Sequence, residues 1–221
     1  SKFIKAIVID TAGEDSPPIQ DLDAFKQARK KYTSAVLAHP QTTTYADYGT
    51  SAMVSLCDGI GAMPTRNFSS GIFEDAEKIS GDRLREMLLE RGGVSDTTHA
   101  CMAGCIIKCS NTVGDIDGET VLVSPLDYET IGLMGSNLGI NDLDKIAKLN
   151  QAANDIGIDT IEIGAALGVA ADAGLMEFGD GERAFDLLQE IREGTPLGRI
   201  LGNGAAFTGK AFGVERVPVA K

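Results

Sequence analysis

The chain has 221 residues, 43% hydrophobic and 24% charged, which is ordinary globular composition and enough for a core that needs no covalent staples. Its formal net charge of -12 repels phosphate, which sets aside nucleic acid and anionic membrane surfaces and leaves a cationic or neutral small substrate open. No apolar run reaches the roughly 18 residues of a membrane span, and the first ten residues lack the sections of a secretory signal, so the expected compartment is the cytoplasm.

Residues 3–9 read as a strand with no partner nearby. Together with the missing initiator Met and the stop in mid-segment at 217–221, they are read as marks of a longer polypeptide. A helix is expected from about Asp21 to Leu37, capped by Asp21 or Asp23 and ended by His39-Pro40. A second helix is expected over 43–58, closed by Gly59 and Gly61, and 64–73 reads as an irregular loop. Ser80 begins a third, in which Leu84, Met87 and Leu88 recur at helical spacing before Gly92-Gly93 ends the pattern. Gly114-Asp-Ile-Asp-Gly118 lies between apolar runs and predicts a β-hairpin turn. From Pro125 onward the pattern predicts helices over 128–133, 141–156, 160–173, 182–192 and 196–212. The fold class is mainly α, one helical domain over 1–221 with a single short hairpin.

Of four cysteines, three fall within nine residues, as Cys101, Cys105 and Cys109, and such crowding favours metal or redox chemistry over disulfides in a reducing compartment. On an unbroken helix the i, i+4, i+8 spacing would share one face but separate the first and last by about 12 Å, too far to grip one compact cluster. A bend is therefore expected, and Gly104 is the residue that tolerates it. Spacing alone leaves three readings open. The thiols are small buried hydrophobes, or zinc ligands together with His99 or Cys57, or ligands of an iron-sulfur cluster.

With its flanks, this segment resembles the aldehyde ferredoxin oxidoreductase family. Further stretches agree in order: Met63-Pro-Thr-Arg-Asn-Phe68 with Phe73-Glu74 and Ile79-Ser-Gly81 behind it, Asp127-Tyr-Glu-Thr130, and Asn154-Asp-Ile-Gly-Ile-Asp-Thr160. Lys5-Ala-Ile-Val8 matches the end of the family's first domain, which makes residues 1–10 the expected tail of a preceding β domain and the remainder the family's helical second domain. The resemblance implies oxidation of an aldehyde, or another carbonyl substrate, to the acid at a tungsten (or molybdenum) bis-pterin centre. Electrons then pass singly through one [4Fe-4S] cluster to the partner protein ferredoxin. Cys101, Cys105 and Cys109 would be three cluster ligands, with the fourth in a later domain. Both gaps here are three residues, whereas the family's usual pattern is two and then three. Cys57 matches no ligand position.

The same resemblance places pterin contacts at Asn154, Gly157, Ile158 and Asp159, where Asn stands in for the family's usual Asp. It also makes Glu129 the candidate for proton transfer. On local grounds alone, Gly157 reads as a helix C′ residue, Asp159 with Glu162 as a capping box, and Asp127 with Glu129 as acidic residues of a helix first turn. The expected partners are the flanking domains of the same polypeptide, ferredoxin and, in some settings, a second copy in a homodimer, with no nucleic acid or membrane; no cofactor is expected to stay on this chain by itself. The alternatives are a non-catalytic zinc-binding or helical interaction domain, and a family member serving as a subunit of an aromatic-acid or acyl-CoA reductase. Gly202-Asn-Gly204 follows a helix and is rejected as a dinucleotide fingerprint, Gly164 and Gly168 are read as close helix packing, and Arg66-Asn67 has no assigned role.

Overall fold

The structure, a computed structural model, describes residues 6–10, 12–13 and 17–218. The chain divides into two compact units, Ser1–Ala38 and His39–Lys221. In the first unit, α1 (Leu22–Leu37) starts at Asp21, whose carboxylate accepts the Ala24 N–H at 2.9 Å, and it buries no residue. Of the strand expected over 3–9, residues 6–9 are unpaired backbone and 3–5 lie outside the described residues.

The second unit is helical around a three-stranded antiparallel sheet of order β1-β2-β3, which bears out the mainly α class. It opens with α2 (Pro40–Tyr48), where His39 Nδ1 accepts the Gln41 N–H and Pro40 occupies the first turn. The helix expected over 43–58 is interrupted. Gly49 takes φ +66, a 3-10 turn runs Gly49–Ala52, and α3 (Met53–Gly59) follows. The physical cause is tertiary: a Cβ on Gly49 would lie 2.6 Å from the Cys109 carbonyl oxygen, so the helix yields to let the cysteine segment in. Ser80 caps α4 (Gly81–Arg91) by accepting the Arg83 N–H, and Gly92 ends it.

β2 (Ser110–Gly114) and β3 (Val121–Val123) form the expected hairpin. The Asp115 carboxylate organises its turn by accepting N–H bonds from Glu119 and Thr120, while Gly118 takes φ +70. The extra strand, β1 (Asp96–His99), pairs with β2 and has no apolar alternation to announce it. The cysteine segment is therefore the loop between β1 and β2.

The helix expected over 128–133 is a single α turn, α5 (Tyr128–Thr130), that passes into a π turn (Ile131–Gly135) and a 3-10 turn (Ser136–Leu138). Then come α6 (Leu143–Ile156), α7 (Thr160–Asp172) and α8 (Gly181–Glu193), capped by Asp142, Asp159 and Asp180. The expected helix over 196–212 splits into α9 (Pro196–Leu201) and α10 (Ala205–Phe212). Glu162 is the reason the second piece restarts. Its Oε1 accepts the Ala205 N–H at 2.8 Å, so it caps α10 and does not close the expected box with Asp159.

α7 is the central helix, buried without a break from Ile163 to Ala171. Its glycines allow close packing. A Cβ on Gly164 would lie 2.7 Å from the Leu133 carbonyl oxygen, and one on Gly168 would lie 2.7 Å from Asn137 Nδ2. Both therefore act as the sequence suggested, by admitting a neighbouring segment.

Candidate functional site

The loop between β1 and β2 bends where expected. Gly104 takes φ +82, the Cys105 N–H closes a turn on the Met102 carbonyl at 3.2 Å, and Lys108 takes φ +58. Cys101 is exposed, and Cys105 and Cys109 are half-buried. The Cys105 thiol is drawn below its ordinary range, first by the Lys108 backbone N–H and then by that of Ile107, with a further contribution from the Cys101 side chain. The Cys109 thiol is pushed up, first by burial and then by the charges of Asp127, Cys105 and Cys101. The three thiols are thus electrostatic neighbours, although among the described residues no group of three or more His, Cys, Asp or Glu side chains is placed to hold a metal ion.

The donor chemistry fits three corners of an iron-sulfur cluster. The thiols are soft donors on one loop, and backbone N–H groups face a sulfur that would carry negative charge. The zinc alternatives fare less well on geometry. His99 Nδ1 sits 3.7 Å from the Asp96 carboxylate on its own strand, and Cys57 on α3 packs against the core beside the Tyr128 ring.

Directly behind the loop stands the Asp127–Thr130 turn. Asn111, buried completely and two residues past Cys109, clasps the Leu126 backbone twice: its Nδ2 donates to the carbonyl at 2.9 Å and its Oδ1 accepts the N–H at 2.8 Å. The Thr50 hydroxyl donates to Asp127 Oδ1 at 2.9 Å and accepts the Tyr128 N–H at 3.0 Å. Asp127 has its pKa raised by burial, partly offset by that Thr50 bond, with the Glu129 charge adding to the rise. Glu129 itself points to solvent. Within the motif Asp127 is the more sheltered carboxylate, half-buried where Glu129 is exposed.

At the far side of the turn, Thr130 Oγ1 lies 2.8 Å from Thr160 Oγ1, which joins α5 to the first residue of α7. That bond joins the residue after Glu129 to the residue after Asp159. Gly157 adopts the left-handed conformation, with its N–H and that of Ile158 closing the end of α6 on Ala153, and nothing lies within 4 Å of where its Cβ would be. Asp159 Oδ2 accepts the Glu162 N–H at 2.7 Å, while Ile158 packs on the core and Asn154 is exposed. The residues fit a polar heterocycle in chemistry: an open glycine, an amide, a carboxylate oxygen left free, and the N–H groups of a helix start.

The Pro-Thr-Arg-Asn stretch does more than its composition disclosed. Arg66, Asn67 and Phe68 all take positive φ (42, 51 and 57), each costing about 1–2 kcal/mol relative to ordinary backbone. The strain is held because the three N–H groups dock on the 3-10 turn after α5, on Ser136 O, Asn137 O and Asn137 Oδ1. Asn67 is fully buried, donates to Asp172 at 2.6 Å and to the Arg216 carbonyl at 2.9 Å, and leaves its Oδ1 without a partner among the described residues. This loop fixes the chain that follows Glu129.

A family model described as "Aldehyde ferredoxin oxidoreductase, domains 2 & 3" matches residues 27–220. The chain belongs to the aldehyde ferredoxin oxidoreductase family. It is 32% identical over 174 residues to the tungsten-containing aldehyde ferredoxin oxidoreductase of Thermococcus kodakarensis and 30% identical over 174 residues to that of Pyrococcus furiosus; each match takes in 78% of this chain. It is also 28% identical over 218 residues to a Pyrococcus furiosus aliphatic sulfonate oxidoreductase, WOR-like subunit, which takes in 92% of this chain. The chain spans 27% of the length of the two aldehyde ferredoxin oxidoreductases and 33% of the third relative. The family is one of oxidoreductases, and among the described residues no helix is long and apolar enough to cross a membrane.

Proposed function

We propose that this chain is the cluster-bearing helical part of a tungsten- or molybdenum-pterin oxidoreductase that converts aldehydes to carboxylic acids and passes the electrons to ferredoxin. The observation that carries the reading is the chain of contacts from the cysteine loop through Thr50–Asp127 to Thr130–Thr160, which gathers three separate sequence motifs along one continuous path. Cys101, Cys105 and Cys109 would hold three irons of a [4Fe-4S] cluster, with the fourth thiolate supplied from outside this chain. Asn154, Gly157, Ile158 and Asp159 would meet the pterin, and Glu129 would handle the substrate-side proton. When bound, the metal-pterin centre supplies the two-electron chemistry. The residues of this chain supply position: Gly157 leaves the approach open, Asp159 fixes the start of α7, and the Asn111 clasp keeps the Glu129 turn in register with Cys109.

The match to a sulfonate oxidoreductase subunit favours a second reading, in which the same scaffold serves as one subunit of a larger reductase with a different substrate. Anaerobic purification of the intact parent enzyme, followed by iron, sulfide, zinc and tungsten analysis and a substrate screen, tests both. Four irons per polypeptide with tungsten or molybdenum, and aldehyde-dependent ferredoxin reduction, are expected. Stoichiometric zinc without cluster absorption would overturn the function, and turnover of sulfonates or acyl thioesters in place of aldehydes would select the second reading.

A further inference from the structure

Asp127 has no part in the proton transfer assigned to Glu129, yet its place is fixed from two sides. Thr50 bonds its Oδ1 at 2.9 Å, and Asn111 fixes the residue before it through two bonds to the Leu126 backbone. Both holders also belong to the neighbourhood of Cys109. Asn111 follows it by two residues in β2, and Gly49, adjacent to Thr50, packs so closely on the Cys109 carbonyl oxygen that a Cβ would lie 2.6 Å away. Asp127 and Cys109 are therefore bracketed by the same two clamps, and relative motion between them would break buried bonds.

We propose that Asp127 is a positioning residue for the cluster corner at Cys109: with Thr50 it keeps a fixed negative charge beside that ligand and so sets how readily the cluster accepts an electron. This rests on the functional reading above. Reduction of a four-iron cluster from its 2+ to its 1+ state adds one negative charge, here from the metal-pterin centre in turnover or from dithionite in a titration. A fixed carboxylate nearby opposes that addition, and replacing it with a neutral isostere removes the opposition. Tuning of cluster potential by charge and hydrogen bonding is general chemistry for such sites.

The test is an anaerobic redox titration of the intact parent enzyme, with the reduced cluster followed by electron paramagnetic resonance. Asp127→Asn retains an oxygen to accept the Thr50 hydroxyl, so the local fold is kept, and the cluster midpoint potential is expected to move upward. Thr50→Val, which frees the carboxylate, is expected to shift the potential and alter the resonance line shape, and Thr50→Ser to restore both. A purely structural role would change yield or melting temperature and leave the potential where it was. Wild-type enzyme with a full iron complement, together with Asp127→Asn and Thr50→Val clusters at the wild-type potential, overturns the role of Asp127 alone. Wild-type enzyme without an iron-sulfur cluster overturns the functional reading beneath it. Should Asp127→Asn fail to fold, the Thr50 pair decides: equal potentials in the Val and Ser variants refute the proposal.

Discussion

The two sides of the candidate site are built differently. The turn at Asp127–Thr130 is fixed from several directions, by Asn111 from β2, Thr50 from the broken α2–α3 helix and Thr160 from α7, and Asn150 adds a bond to the Pro125 carbonyl at 3.0 Å. The cysteine loop is shaped mainly by its own backbone, through Gly104, Lys108 and the turn at Cys105, and it presents Cys101 and a 68% exposed Met102 to solvent. The difference separates what must be exact before any cofactor binds from what a metal can itself arrange. Side chains that orient substrate need a preset frame, whereas thiolates on an exposed loop are drawn into geometry by the bonds they form.

If that division holds, removing a cluster thiol should be the most severe change to the intact enzyme and among the mildest to the fold. Cys105→Ser is expected to lower iron content and ferredoxin reduction by roughly tenfold or more, since even outer-shell changes at metal sites cost about that much. Its chemical denaturation as the isolated chain should stay close to wild type. A large loss of chain stability would show that the loop is part of the preset frame after all.

The frame side should respond in the opposite way. Asn111→Ala strips both bonds from the buried Leu126 backbone and is expected to destabilise the isolated chain by about 2–4 kcal/mol, measured by urea unfolding. Gly164→Ala presses a methyl group onto the Leu133 carbonyl and should cost about 1–3 kcal/mol by the same measurement. Thr130→Val removes one hydroxyl pair from the junction with α7 and should cost about 1 kcal/mol, while raising the KM of the parent enzyme more than it lowers stability. If Thr130→Val were silent in both assays, the contact between the Glu129 turn and the pterin-side motif would have no functional weight.

Several elements were legible because their determinants are local. Asp21, Ser80 and Asp159 mark helix starts by chemistry confined to three or four residues, and Gly157 marks an end in the same way. The hairpin turn at 114–118 and the bend at Gly104 follow from which residues tolerate positive φ. The helical breaks at Gly49, after Thr130 and at Gly202–Gly204 were not legible. Each depends on a remote partner, namely the Cys109 carbonyl, the glycine face of α7 and the Glu162 carboxylate. β1 was missed for the same reason, since Asp96–His99 becomes a strand only because β2 lies beside it.

The sequence by itself determined the donor set: three thiols within one turn-forming segment, an acidic helix start, and a glycine between two helices, with the order of motifs that fixes the family. Only the tertiary structure decided how these sites relate. It put Asp127 in a half-buried position and Glu129 in the solvent-facing one, and it used Thr50, a residue without any motif to mark it, to tie the Asp127 turn to the neighbourhood of Cys109. The reason is one of range. Caps, turns and ligand chemistry act over a few residues, while a carboxylate's burial and partners are set by whichever distant segments pack against it.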